Sequence, residues 1–148
     1  MSVTQPQRQL IHTREIKTQV YKRDDGLWDL EASLIDTKGK DFPLAEKMRP
    51  AGVPIHHMVI TVTIDTRFNI LDASAESVQV PYPGHCQQIT PDYKKLVGLN
   101  LVQGFRSDVK RLFEGVAGCS HITELCLVLP TVAIQGFAAE VFSVPGSD

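Results

Sequence analysis

Gly118-Cys119-Ser120-His121 opens a stretch with helical periodicity. The first N–H groups of a helix lack intrahelical partners and carry the positive end of its macrodipole. A thiol placed there holds more thiolate at neutral pH, the form that attacks or ligates. His121 follows two residues later, and Glu124 stands one helical turn beyond it. His85-Cys86 is a second candidate pair, set in a loop after a Pro-Gly turn. The third is His56-His57, at the entry to an apolar strand. His56 has the parity of Met58, Ile60 and Val62 and so faces the core, whereas His57 faces the other way. An imidazole on a core face needs a hydrogen bond or a metal.

Taken together, His56, Cys86, Cys119 and His121 make a set of two cysteines and two histidines that suits zinc or an iron–sulfur cluster. His57, His85 and Glu124 would then stand behind the ligands as supporting groups. The spacing is not that of a zinc finger, so convergence in space decides the matter. Each residue also has a plainer reading. Ser120 can be a helix cap, His121 an exposed first-turn residue, and Glu124 a solvated charge. His85-Cys86 can be a half-buried loop pair, and His56 can be satisfied by a carbonyl. Cys126 falls on an apolar helix face and reads as a core thiol. His12 receives no role, and Asp36-Thr37-Lys38 reads as a charged turn closing a strand. Glycine-rich phosphate loops and the nucleophile-elbow pattern are missing from the sequence. A thiol-dependent reaction at Cys119, with His121 or His85 as base, is the remaining catalytic reading.

The elements that must position these groups fall into two textures. Ile16, Thr18 and Val20 alternate with Lys17 and Gln19, and after Asp25-Gly26 the residues Trp28, Leu30, Ala32 and Leu34 alternate with Asp29, Glu31 and Ser33. This is a hairpin of half-buried strands. Residues 39–54 carry three prolines and two glycines and read as a surface loop. Residues 58–64 are nearly all β-branched or apolar, and a fourth strand runs from Ile70 to about Ser77. After Val80 the pattern turns helical. One helix starts at Thr90-Pro91 and ends at Gly98; a second starts at Ser107-Asp108 and stops at Gly115; a third starts near Cys119-Ser120. Pro130 kinks or breaks the third, and the pattern resumes through Val132, Ile134 and Phe137. Strands first and helices later predict an α+β fold, a twisted antiparallel sheet of about four strands with three helices packed on it.

At 148 residues the chain reads as one domain, with a core from about 9 to 142 and frayed termini. Its net charge of −2 disfavours non-specific nucleic-acid binding, which needs a basic surface. No apolar run approaches a membrane span, and the start of the chain lacks the apolar stretch of a signal peptide. A cytoplasmic protein is the expectation. Three cysteines are an odd number for a disulfide frame and read better as thiols or ligands. Lys94, Lys95, Arg106, Lys110 and Arg111 decorate two helices as a solvated face, or as a surface for an acidic protein partner.

The segments LIHTREI, GLWDLEASLIDTK, DFP, PIHHM, PYPGHC and GCSHITEL resemble, in the same order, a bacterial domain family of unknown function (DUF2889-like). His57 stands where that family's pattern has Asp. The order of elements is also similar, at a distance, to NifU/IscU-like iron–sulfur scaffolds. That resemblance implies ligands from the strand entry at His56-His57, from the loop at Cys86 and from the late helix at Cys119. Histidine in place of the scaffold's strand-entry cysteine favours a stable metal site such as zinc over cluster transfer. The competing expectation is a metal-free accessory domain that binds a small molecule or a partner.

Overall fold

A computed structural model of the chain describes residues 5–44, 47–80, 90–114 and 119–146. Strands β1 (His12–Lys22), β2 (Trp28–Lys38), β5 (His56–Ile64) and β6 (Ile70–Gln79) form an antiparallel sheet in the order β1-β2-β5-β6. Strands β3 (Phe42–Leu44) and β4 (Lys47–Arg49) form a separate small hairpin. A 3-10 helix (Thr90–Leu96) and helices α1 (Phe105–Phe113), α2 (Ser120–Cys126) and α3 (Leu129–Phe137) follow. The fold is α+β, as the two textures predict. Among the described residues no helix is long and apolar enough to cross a membrane.

Period-two patterning sets the sheet. Trp28, Leu30, Ala32 and Leu34 are buried, while the intervening Asp29, Glu31 and Ser33 are half-buried on the outer face. The β1–β2 turn is closed by Arg23 N–H donating to the Leu27 carbonyl at 2.9 Å and by Leu27 N–H donating to Asp25 Oδ1 at 3.1 Å. Gly26 takes a positive φ of 86°, which glycine adopts without steric cost. On the inner face α2 packs over β2 and β5, α3 over β1 and β2, and the 3-10 helix over β6. Gly136 of α3 lies so close to β1 that a Cβ there would come within 2.6 Å of Val20 Cγ1. Trp28 and Phe137 meet edge to face at 4.9 Å between ring centroids.

Three expectations need correction. Residues 39–54 are not simply a loop: β3 and β4 lie within them, and the segment is pinned back on β2. Gly52 N–H donates to the Lys38 carbonyl at 3.0 Å, and Ile55 N–H donates to the Asp36 carbonyl at 2.9 Å. Leu44 and Ile55, buried at 7% and 5% exposure, are the apolar anchors that outweigh the local proline content. The segment after Thr90 is a 3-10 helix rather than an α-helix. Helix α1 begins at Phe105, two residues before the expected Ser107, because Phe105, Val109 and Phe113 form one buried stripe at i, i+4 and i+8. Gly104, at φ 70°, supplies its left-handed entry. The expected stop at Gly115 lies outside the described residues. Pro130 acts as predicted: α2 ends at Cys126, and Pro130 falls in the first turn of α3, where a missing N–H costs nothing.

The start of α2 is held from the core. Tyr93, fully buried, accepts the Cys119 N–H at 3.0 Å, and its hydroxyl is 3.1 Å from the Cys119 carbonyl and 2.8 Å from Thr123 Oγ1. Burial pushes the Tyr93 phenol up to about 12, so it stays a neutral donor and acceptor. Tyr93→Phe removes the acceptor of a buried N–H at the head of α2. It is expected to cost about 2 kcal/mol by urea unfolding, the scale of a buried donor losing its partner. A cost below about 0.5 kcal/mol would show that α2 is held by apolar packing alone.

Candidate functional site

Arg14, Asp36 and His56 stand opposite one another on three adjacent strands, in one row across the sheet. Asp36 occupies the next core-facing position after Leu34 and is 1% exposed. Among the described residues, it and Thr63 are the buried polar side chains. A carboxylate taken out of water needs charge and hydrogen bonds in return. Arg14 supplies both, in a bidentate pair: Nε donates to Oδ1 and Nη2 donates to Oδ2, each at 2.8 Å. His12, two residues along β1, places Nε2 3.2 Å from Oδ1. Burial alone would raise the Asp36 carboxyl, but Arg14 and His12 outweigh it and hold the group at about 2. The third Arg14 nitrogen, Nη1, donates to Glu124 Oε2 of α2 at 2.7 Å, which ties the helix to the row.

Two imidazoles close over the other side of Asp36. His56 Nδ1 lies 3.4 Å from Asp36 Oδ2, and His121 Nε2 lies 3.7 Å from the same oxygen. Their rings stack at 4.1 Å between centroids with planes 26° apart. His56 Nδ1 is buried and makes no hydrogen bond within the described structure. Burial first, and then the neighbouring His121, lower the His56 pKa and favour the neutral ring. One ligand atom from each of Asp36, His56 and His121 falls within 4.8 Å of the others. The cluster lies in a cleft of about 340 Å³ that is also walled by Lys38, Phe42, Leu44 and Ile55.

Of the four predicted ligands, the structure brings His56 and His121 together. His56 faces the core side as its parity requires, and His57, opposite Ile35 and Gln79, takes no part in the cluster. Cys119 stands at the head of α2 with extended backbone (φ −95°, ψ 123°), and the residue is 1% exposed within the hydrophobic core. It is not among the clustered ligand atoms; the carboxylate of Asp36 is. Cys126 is a packed core thiol, pushed up to about 12 by burial. His85 and Cys86 lie outside the described residues. Glu124 meets the cluster through Arg14, whose Nη1 lies 2.7 Å from its Oε2.

Three members were missed. Asp36 is not a turn residue but the last buried position of β2. Its signal was available, as a charge on the even-numbered apolar stripe Trp28, Leu30, Ala32, Leu34. Arg14 and His12 share that parity on the partner strand, yet nothing in one sequence states that β1 pairs in the register Arg14↔Asp36.

The sequence profile of a family described as a protein of unknown function (DUF2889) matches residues 12–135. The chain belongs to the DUF2889 family. The matched region begins at His12 and runs past Glu124, so it contains every residue of the cluster in this DUF2889 domain. Comparison with curated proteins and with solved structures finds no match to either. The likeness to iron–sulfur scaffolds therefore rests on the order of elements alone.

Proposed function

We propose that this DUF2889 protein is a metal-binding module in which Asp36, His56 and His121 hold one divalent transition-metal ion. The observation that carries the reading is the buried His56 Nδ1, which lacks a hydrogen-bond partner although it lies 3.4 Å from a carboxylate oxygen, with a second imidazole stacked on its ring. A buried polar atom without a partner calls for an explanation, and an ion is one that the neighbouring donors fit. Ligand atoms around a tetrahedral zinc are roughly 3.3–3.6 Å apart, given bonds of about 2.0–2.2 Å. The two distances to Asp36 Oδ2, 3.4 and 3.7 Å, are already close to that. The lowered His56 pKa keeps a lone pair available for the metal.

Nitrogen and oxygen donors suit a mononuclear zinc or iron(II) ion, whereas an iron–sulfur cluster draws on thiolates. Two histidines and one carboxylate leave positions open for water or a ligand, as in catalytic rather than structural sites. Arg14 and His12 would orient the carboxylate from behind, the usual office of groups that bond a metal ligand. A second reading has its own support in the bidentate hold of Arg14 on Asp36. That pair neutralises the carboxylate without any ion, as a metal-free accessory domain would need.

Metal content separates the two. Protein purified anaerobically without chelator, or stripped and titrated with zinc or iron(II), is expected to bind about one ion per chain. Failure to bind either metal above background, in a folded sample, would leave the metal-free reading.

A further inference from the structure

We infer that the cleft beside this cluster accepts a small organic anion, with its charged head at Lys38 and its apolar body against Phe42, Leu44 and Ile55. The inference deepens the metal reading by naming the ligand class of the same site. The cleft is asymmetric. The basic side chains on the Asp36 side are engaged: Arg14 is bound to Asp36 and Glu124, and His12 stands 3.2 Å from Asp36. Lys38 is the exception. It is half-buried at the end of β2, and its Nζ lies 4.9 Å from the centre of the Phe42 ring. Among the described residues it has no carboxylate partner. Asp41, three residues on, is turned to the Ala51 N–H at 3.0 Å. A lysine held over an aromatic ring at the mouth of a cleft is a point charge kept in place with its donors open.

The opposite wall is apolar because the 39–54 segment is drawn in. The hydrogen bonds from Gly52 to Lys38 and from Ile55 to Asp36 bring Leu44, Ile55 and Phe42 to the side of the cluster. Pockets of this size and kind bind ligands through an apolar body and a few placed polar groups. A cation beside an apolar wall selects an anion with a hydrophobic portion, and a bound divalent ion would strengthen the preference for negative charge. Carboxylates and phosphate monoesters share that chemistry.

The test uses the whole protein loaded with cobalt(II), whose visible spectrum reports its ligands. Cobalt alone tests the metal. Benzoate and phenyl phosphate then distinguish carboxylate from phosphate, and benzamide is the neutral counterpart. At least one of the two anions is expected to bind saturably and benzamide is not. Lys38→Met is expected to weaken the anion about tenfold, the equivalent of 1.4 kcal/mol, and Lys38→Arg to restore most of it. If neither anion binds, if benzamide binds as well, or if Lys38→Met has no effect, the inference is overturned. Should cobalt not bind, the metal reading fails. Saturation-transfer NMR with the same three probes and variants then decides the anion site on the same criteria.

Discussion

Arg14→Met is expected to destabilise the chelator-treated protein by about 3 kcal/mol at neutral pH, the low end of what breaking a buried ion pair costs. The change removes a guanidinium that satisfies both oxygens of Asp36 and leaves the 1%-exposed carboxylate with His12 beside it. The low end applies because Arg14 is itself about one-third exposed, so part of its Coulombic gain is screened. Its contact with the exposed Glu124 adds less than about 1 kcal/mol. The effect also has a pH signature. In the folded protein Asp36 titrates at about 2, below its ordinary value of 3.8. A depressed carboxyl stabilises the fold above its unfolded value, and that contribution is lost as pH falls through the folded value. Without Arg14 the burial penalty is less opposed and the carboxyl rises. The gap between wild type and variant should therefore be widest at neutral pH and shrink between about pH 4 and pH 2, where both forms become protonated. Urea unfolding at several pH values measures it. A gap that stays constant with pH would mean that Arg14 contributes through its aliphatic stem and not through Asp36.

The sheet was legible because two periodicities agree with composition. Trp28 to Leu34 and Met58 to Ile64 could only bury one face each as strands, and the Asp-Gly turn fixed the first hairpin. Pro130 marked the break between α2 and α3 for an equally local reason. What failed were features settled by distant partners. The β3–β4 hairpin owes its place to Gly52 and Ile55 bonding back to β2, a contact that no local propensity encodes. The site divides in the same way. His56 and His121 could be singled out by residue type and parity. Asp36 could be marked as a charge on an apolar stripe, but not as part of a site without knowing that Arg14 lies opposite it and that α2 covers it. Cys119 was singled out on the electrostatics of a helix start, a local argument, whereas its burial in the core is a tertiary fact.

Substitution at the proposed ligands gives the largest expected change in metal binding. His121→Ala and Asp36→Asn should each weaken zinc at least about 100-fold, beyond the 10–100-fold typical of groups that only support a ligand. Glu124→Gln, which acts through Arg14, should fall within that lower range. Cys119→Ser should change affinity less than about twofold, because the residue is buried in the core and is not among the clustered donors. Asp36→Asn preserves shape and leaves Arg14 an amide oxygen, so a loss of zinc with a retained far-ultraviolet spectrum reports coordination rather than unfolding. The pair Asp36→Asn and Cys119→Ser is the decisive contrast, since each ligand set contains one of the two residues and lacks the other. Loss of zinc in Cys119→Ser with retention in Asp36→Asn would reject the carboxylate site in favour of the cysteine–histidine set. Retention in both, with His121→Ala also silent, would leave the row from Arg14 through Asp36 to His56 as a structural clasp between β1, β2, β5 and α2.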